Sequence, residues 1–198
     1  MEPRAASDAR GDDALVEAAG RGDRDAFRTL VERWGPRVGA FLQRTLASRR
    51  DAEDLTQETF LRVYRAAPRY RAEGHFPAWL FRIAGNLARQ ELRRRRLVSL
   101  LLGEPAERPE EVFDSMPAPQ SFHPESPLRA DAIRRAVAAA MSRLPVRQRL
   151  AVLLRYYEEM PTTEIARALG TSPHAAESLL ARGTRALRTL LRDQPLDF

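Results

Sequence analysis

The sequence predicts an all-α protein. Two small helical domains are joined by a flexible, acidic, Pro-rich linker, and the second is a four-helix domain carrying a helix-turn-helix without a wing. Three observations predict it. Apolar residues recur at helical spacing on both sides of residue 100, with no strand-like alternation of useful length. Between residues 99 and 127 lie six prolines, Pro105, Pro109, Pro117, Pro119, Pro124 and Pro127. The same stretch holds six acids (Glu104, Glu107, Glu110, Glu111, Asp114, Glu125) and one base, Arg108, which marks an extended linker. Further on, Glu164, Ile165, Ala166, Leu169 and Gly170 precede a Leu180–Leu187 stripe, the pattern of two closely crossing helices.

The elements follow in order. Residues 1–11 form a disordered start, 12–98 the first domain, 99–127 the linker and 128–194 the second domain. Asp23 caps a helix carrying Phe27, Leu30, Val31 and Trp34, which Pro36 breaks or bends. Asp51 caps the next helix, where Asp54 meets the positive end of the dipole and Leu55, Val63 and Tyr64 face the core. In the helix from Phe76, the residues Phe76, Trp79, Leu80, Ile83, Leu87 and Leu92 make the buried stripe, and Trp79 is read as a core aromatic. Beyond the linker come an Ala-rich helix over 129–143 and a helix with Pro145 in first position and Val146, Leu150, Leu153, Leu154 and Tyr157 on one face. A short helix then stops at Gly170, and a last one starts with Ser172 as cap and Pro173 in first position. Its buried stripe is Ala176, Leu180, Gly183, Leu187, Leu190 and Leu191.

Charge narrows the partners. The net charge is +6, and all 33 basic residues are Arg. The linker alone carries −5, which leaves +11 on the flanking parts. That balance suits a polyanion, either nucleic acid or an anionic membrane surface. With no cysteine there is no disulfide, thiolate metal site or cysteine nucleophile. No apolar run approaches the roughly 18 residues of a membrane span, and the start carries no signal-like segment, so a cytoplasmic protein outside the membrane is expected. His75, His123 and His174 are scattered, no carboxylates cluster at metal-ligand spacing, and no Gly-rich phosphate loop occurs. The expectation is a binding protein rather than an enzyme, with no cofactor, metal or small-molecule substrate.

Three polar faces are candidate sites. On the last helix, His174, Glu177, Ser178, Ala181, Arg182 and Arg185 lie opposite the buried stripe. Short or hydrogen-bonding residues near the helix start suit base edges in a major groove, and Arg further along suits phosphates. On the helix from Phe76, the other face carries Arg82, Asn86, Arg89, Gln90 and Arg93 and runs into Arg94-Arg95-Arg96. The loop before it, with Tyr70, Arg71, Gly74 and His75, mixes aromatic and basic residues that suit an unstacked base. On the helix after Asp51, the polar residues Asp54, Gln57, Glu58 and Arg62 make a patch that suits a protein partner; by pattern alone a solvated face accounts for it better.

The run Leu144-Pro145, Glu164-Ile165-Ala166, Leu169-Gly170, Arg182-Gly183 and Ala186-Leu187-Arg188 resembles the −35-reading domain of extracytoplasmic-function (ECF) sigma factors. Independently, the stretch from Asp51 to Tyr64 resembles that family's core-polymerase-binding helix, and Phe76 to Asn86 its promoter-melting, −10-reading helix. The likeness covers residues 12–192 and implies no appended C-terminal regulatory domain. It implies a factor that docks on core RNA polymerase through Asp51, Asp54, Gln57, Glu58 and Arg62 and directs promoter-specific initiation. It implies −10 contacts by Tyr70, Arg71, His75, Arg82, Asn86, Arg89, Gln90 and Arg93, with Asn86 and the preceding loop capturing a flipped non-template base. It also implies −35 contacts by the outward face of the last helix, a linker lying in the channel where RNA grows, and an anti-sigma factor as a further partner. Glu177, Leu179 and Ala181 depart from the family pattern, where basic or larger residues are usual, so a different −35 preference is expected. Competing readings are a stand-alone helix-turn-helix regulator, which leaves the Asp51–Asn86 block without a purpose, a nucleic-acid enzyme, and a decoy that binds polymerase but not promoters.

Overall fold

A computed structural model describes residues 10–102 and 127–192, and among them every regular element is helical. Residues 1–9 of the expected disordered start (1–11) and 103–126 of the expected linker (99–127) lie outside the described residues. The first domain comprises α1 (Asp12–Gly20), α2 (Arg24–Leu46), α3 (Arg49–Ala66), a 3₁₀ turn at Ala67–Arg69 and α4 (Phe76–Leu102). The second comprises α5 (Pro127–Arg143), α6 (Val146–Tyr156), α7 (Thr162–Leu169) and α8 (Pro173–Arg192).

Local signals set several helix ends. The Asp23 carboxylate accepts from the Ala26 amide at 2.9 Å and starts α2. Ser172 Oγ accepts from the Ala175 amide at 3.2 Å and starts α8, with Pro173 first in the helix. Gly170 ends α7 with φ at 58°, a left-handed conformation that glycine adopts without a Cβ penalty. α8 crosses α6 so closely that a Cβ on Gly183 would lie 2.9 Å from Val152 Cγ2.

Five expectations are corrected. α2 runs unbroken through Pro36. Gly35 precedes the proline with no Cβ to meet its ring, the exposed position leaves the orphaned carbonyl to water, and buried Trp34 and Val38 hold both halves in one core. The cap of α3 is Ser48, whose Oγ accepts from the Asp51 amide at 3.3 Å, so Asp51 sits inside the first turn. Pro145 is the cap residue of α6 rather than its first helical residue. Tyr64 is 44% exposed, its ring set edge-on to Phe27 at 5.0 Å on the outside of α3. Helix α4 also continues to Leu102, beyond the expected linker start.

One apolar core runs through both domains. Phe41, Phe76 and Phe81 fill the first, Leu150, Leu153, Leu154 and Ile165 fill the second, and the buried cluster is continuous between them. α4 packs on α7, and α2 packs on α6. Arg149 of α6 is buried and donates to the Thr45 carbonyl of α2 at 2.6 Å. Arg37 of α2 holds the buried Glu158 carboxylate at 2.9 Å, and the Arg44 guanidinium lies 4.2 Å from the Tyr157 ring centre. Burial pushes the Glu158 carboxyl above the usual carboxylate range, and the Arg37 charge opposes that shift.

Candidate nucleic-acid and polymerase interfaces

The outward face of α8 is open. His174, Glu177, Ala181, Arg182 and Arg185 are exposed and Ser178 is half-buried, while Ala176 and Gly183 are buried against the domain. The sequence-derived set therefore lies together on one surface. Arg182 Nε donates to the Ser178 carbonyl at 3.1 Å, which lays its guanidinium along the helix. A cleft beside Ala181 is lined by Arg155, Tyr156, Leu180, Thr184, Arg185 and Arg188. Sequence reasoning gave Arg155 and Arg188 no contact role. Arg155 sits on α6, and only the crossing of α6 under α8 brings it beside Arg185.

The corresponding face of α4 is partly covered. Arg82, Gln90 and Arg93 are exposed, but Asn86 and Arg89 are half-buried, with the Asn86 Oδ1 accepting from the Arg89 guanidinium. The Arg82 guanidinium lies beside Gly170: a Cβ there would sit 3.7 Å from it. Burial first, then the charges of Arg147 and Arg82, hold the Arg89 guanidinium below its ordinary value. Three cations from α4 and α6 thus crowd at one seam. Leu150 of the second domain stands 3.7 Å from where a Cβ on Gly85 would lie.

The loop before α4 is held at two points. The Tyr70 hydroxyl donates to Asp13 at 2.5 Å, and its ring lies 4.7 Å from Trp79 and 6.3 Å from Phe76. Burial and then the Asp13 bond raise the phenol far above its ordinary value. Asp13 also accepts from the Gly74 amide at 3.2 Å, so α1 fixes the loop from below. His75 Nδ1 lies 3.0 Å from Glu164 Oε1 of α7, and its Nε2 meets the Arg167 guanidinium. Arg71 is exposed. Trp79 is half-buried at the rim and not enclosed in the core.

Of the Arg93–Arg96 run, two members are committed within the protein. Arg94 bonds Glu91 at 2.7 Å; Arg95 bonds Glu91 at 3.1 Å, reaches the Leu46 carbonyl at 3.1 Å and contacts Asp51. The Arg94 bond foremost holds the Glu91 carboxyl low. Arg93 and Arg96 stay exposed. On α3, Asp54 and Gln57 are exposed, Glu58 pairs with Arg62 at 2.7 Å, and Asp51 is half-buried against Arg95. Gln57 also lines a groove between α2 and α3 with Gly35, Gly39, Ala40 and Thr56. Among the described residues, no group of three or more His, Cys, Asp or Glu could hold a metal ion, and no helix is long and apolar enough to cross a membrane.

A helix-turn-helix with an open cationic face, set against a second helical unit with its own Arg- and Asn-bearing face, defines a two-part nucleic-acid reader. Residues 30–98 match the family model for Sigma-70 region 2, and residues 134–187 match that for Sigma-70, region 4. The RNA polymerase sigma factor CarQ of Myxococcus xanthus is 36% identical, with 89% of this chain and 95% of CarQ covered. The ECF sigma factor SigE of Mycolicibacterium smegmatis is 34% identical, with 93% of this chain and 65% of SigE covered. The solved structure of CnrH in complex with the cytosolic domain of CnrY aligns with a TM-score of 0.68 at 26% identity, covering 92% of this chain and 99% of that one. The chain belongs to the ECF branch of the sigma-70 family of RNA polymerase sigma factors. That membership favours promoter-specific initiation over a stand-alone regulator.

Proposed function

We propose that this chain works as a cytoplasmic, non-catalytic initiation factor. It docks on core RNA polymerase through the α3 face of Asp54, Gln57, Glu58 and Arg62, with Asp51 at its margin. The α8 face of His174, Glu177, Ser178, Ala181, Arg182 and Arg185 reads the −35 element. The α4 face of Arg82, Asn86, Arg89, Gln90 and Arg93, with Tyr70, Arg71 and His75 of the loop, holds the −10 element in its melted form. The observation that carries this reading is the pairing of two separate DNA-suited faces, α4 and α8, in one chain whose two halves match sigma-70 regions 2 and 4.

The steps are binding and differential stabilisation. Asp54 and Gln57 are exposed on a helix that the core holds rigid, so docking needs little reordering. The N-terminal turns of α8 enter the major groove, where Glu177 can accept from a cytosine amino group and Ser178 can pair with either base type. Arg182 and Arg185, and beyond them Arg155 and Arg188, neutralise flanking phosphates. Asn86 offers a donor and an acceptor to the edge of an unstacked base, and the Arg side chains of α4 take the single-strand backbone. Capturing that base offsets an unstacking cost of a few kcal/mol and so favours the open duplex. Tyr70 contributes by anchoring the loop to Asp13 and Trp79. An anti-sigma factor is a fitting further partner: the solved relative CnrH is bound to CnrY. The test is a binding comparison on core polymerase. Replacing Asp54 and Gln57 together with Ala should weaken core binding at least about tenfold while leaving −35 duplex binding unchanged; equal core binding by the double variant would remove α3 from the docking surface.

A further inference from the structure

We infer that α1 is a splint for the loop before α4, and that Asp13 is the positioning residue through which it sets how sharply that loop discriminates among unpaired bases. The inference deepens the proposed function and rests on its assignment of the loop and α4 to the −10 element.

One atom makes the tie. Asp13 Oδ1 accepts from the Tyr70 hydroxyl at 2.5 Å and from the Gly74 amide at 3.2 Å, so a single carboxylate oxygen joins both ends of the 70–74 stretch. Gly74 holds φ at 74°, a left-handed turn that glycine adopts readily, and from it the amide reaches Asp13. Between the two anchors Arg71, Ala72 and Glu73 are exposed, so the tie fixes the width of the loop while its tip faces solvent. His75 on Glu164 holds the loop from the second domain; Asp13 holds it from within the first.

α1 is rigid enough to serve as the anchor. Leu15 and Val16 are fully buried. Asp12, next to Asp13, pairs with Arg33 of α2 at 2.5 Å. At the other end of the helix, a Cβ on Gly20 would stand 2.6 Å from the Ala67 carbonyl oxygen of the 3₁₀ turn. α1 therefore meets the chain both where it leads into the loop, at Ala67, and where the loop ends, at Gly74. The helix dipole accounts for an acid in a first turn. It does not account for two bonds that leave α1 for the loop.

Asp13 acts through the loop and not on DNA. The tied loop frames a hollow of about 360 Å³ whose lining includes Arg69, Tyr70, Arg71, Glu73 and Trp79, but not Asp13. A carboxylate also has the wrong charge for a phosphate backbone. The Tyr70 proton is committed to Asp13, so Tyr70 serves by shaping the loop beside Trp79. A loop fixed before binding loses little entropy on capture and cannot re-form around a wrong base; a loose one adapts to several. The Sigma-70 region 2 match begins at residue 30, after α1, so family membership assigns Asp13 nothing.

The test uses the full chain on core polymerase. Single-stranded non-template oligonucleotides with a randomised −10 segment are selected on the wild type. The selected sequence and its single-base variants are then titrated against Asp13→Ala, Asp13→Asn, Tyr70→Phe and the Asp13→Ala/Tyr70→Phe double variant. Asp13→Ala should bind the selected sequence at least about fivefold more weakly and its single-base variants within about twofold of before, so that discrimination collapses. Asp13→Asn keeps an acceptor oxygen and should restore both to within about twofold of the wild type. Tyr70→Phe should cost part of the same, and adding it to Asp13→Ala should cost less than about twofold more, because its partner is already gone. Core binding and −35 duplex binding should stay within about twofold throughout, which also shows that the variants are folded. Unchanged discrimination in Asp13→Ala overturns the inference, as does Asp13→Asn binding as weakly as Asp13→Ala. So does a fall shared equally by the selected sequence, its variants and the −35 duplex, which marks a structural loss alone. Asn86→Ala on the same oligonucleotides tests the underlying assignment: if it binds like the wild type, or if no sequence is selected, the −10 assignment itself fails.

Discussion

On the proposed assignment, the α4 and α8 faces have parallel tasks on opposite terms. Both are helices with an inward apolar stripe and an outward Arg-bearing face, but of the stripe expected on α8 only Ala176 and Gly183 are buried, while Leu180, Leu187, Leu190 and Leu191 are half-buried. The α8 face is complete as it stands, because the helix-turn-helix supports it entirely from within its own domain: α5, α6 and α7 all pack beneath it. The α4 face is built by the first domain and then covered by the second. A reader of duplex DNA needs only a rigid exposed helix. On the proposed assignment α4 catches unpaired bases; of its donors, Asn86 and Arg89 are half-buried and bonded to each other, while Arg82, Gln90 and Arg93 stay exposed.

The largest expected effect breaks the comparison at the shared core. Ile165 is fully buried on α7, a helix that packs on both α4 and α8. Ile165→Ala should cost about 2–5 kcal/mol, seen as a lower thermal midpoint by circular dichroism, with −35 binding lost at temperatures where core-polymerase binding persists. Next, Asn86→Ala should weaken −10 single-strand binding by about 1–3 kcal/mol and leave the −35 duplex untouched; titration of labelled oligonucleotides checks both. Glu177→Arg sharpens the other side. It should change the preferred −35 sequence by about tenfold between best sites, read by selection from a randomised duplex pool. If site preference is unmoved, Glu177 is not a reader. The smallest effect is Arg155→Ala. It should lower the salt slope of −35 binding by about one without altering preference, as loss of one phosphate contact requires.

Much of the fold was legible because its signals are local. Asp23, Gly170 and Ser172-Pro173 each act on backbone groups within three or four residues, and each ends or starts a helix where expected. The readings that failed depended on distant context. Of the two outcomes expected at Pro36, a break is the one that fails: α2 continues through it, because the core on both sides holds the helix through the defect. Asp51 is not a cap, because Ser48 precedes it and Arg95 claims its carboxylate. Periodicity put Tyr64 in the core, but its position on α3 faces outward beyond Phe27. The candidate sites follow the same rule. Helical spacing was enough to gather the α8 set on one face. It gave no sign that His75 meets Glu164, or that Arg37 meets Glu158, since those pairs lie 89 and 121 residues apart and exist only through tertiary packing. Arg155, on α6, was missed for the same reason.

The most direct test of the central claim is reconstitution. The purified full chain is mixed with core RNA polymerase and genomic DNA, and the 5′ ends of the run-off transcripts are sequenced. The account predicts starts at a small set of positions, each preceded by one common −35 and one common −10 sequence, with the starts lost for Asn86→Ala and redistributed for Glu177→Arg. Starts no different from those of core polymerase alone would contradict it.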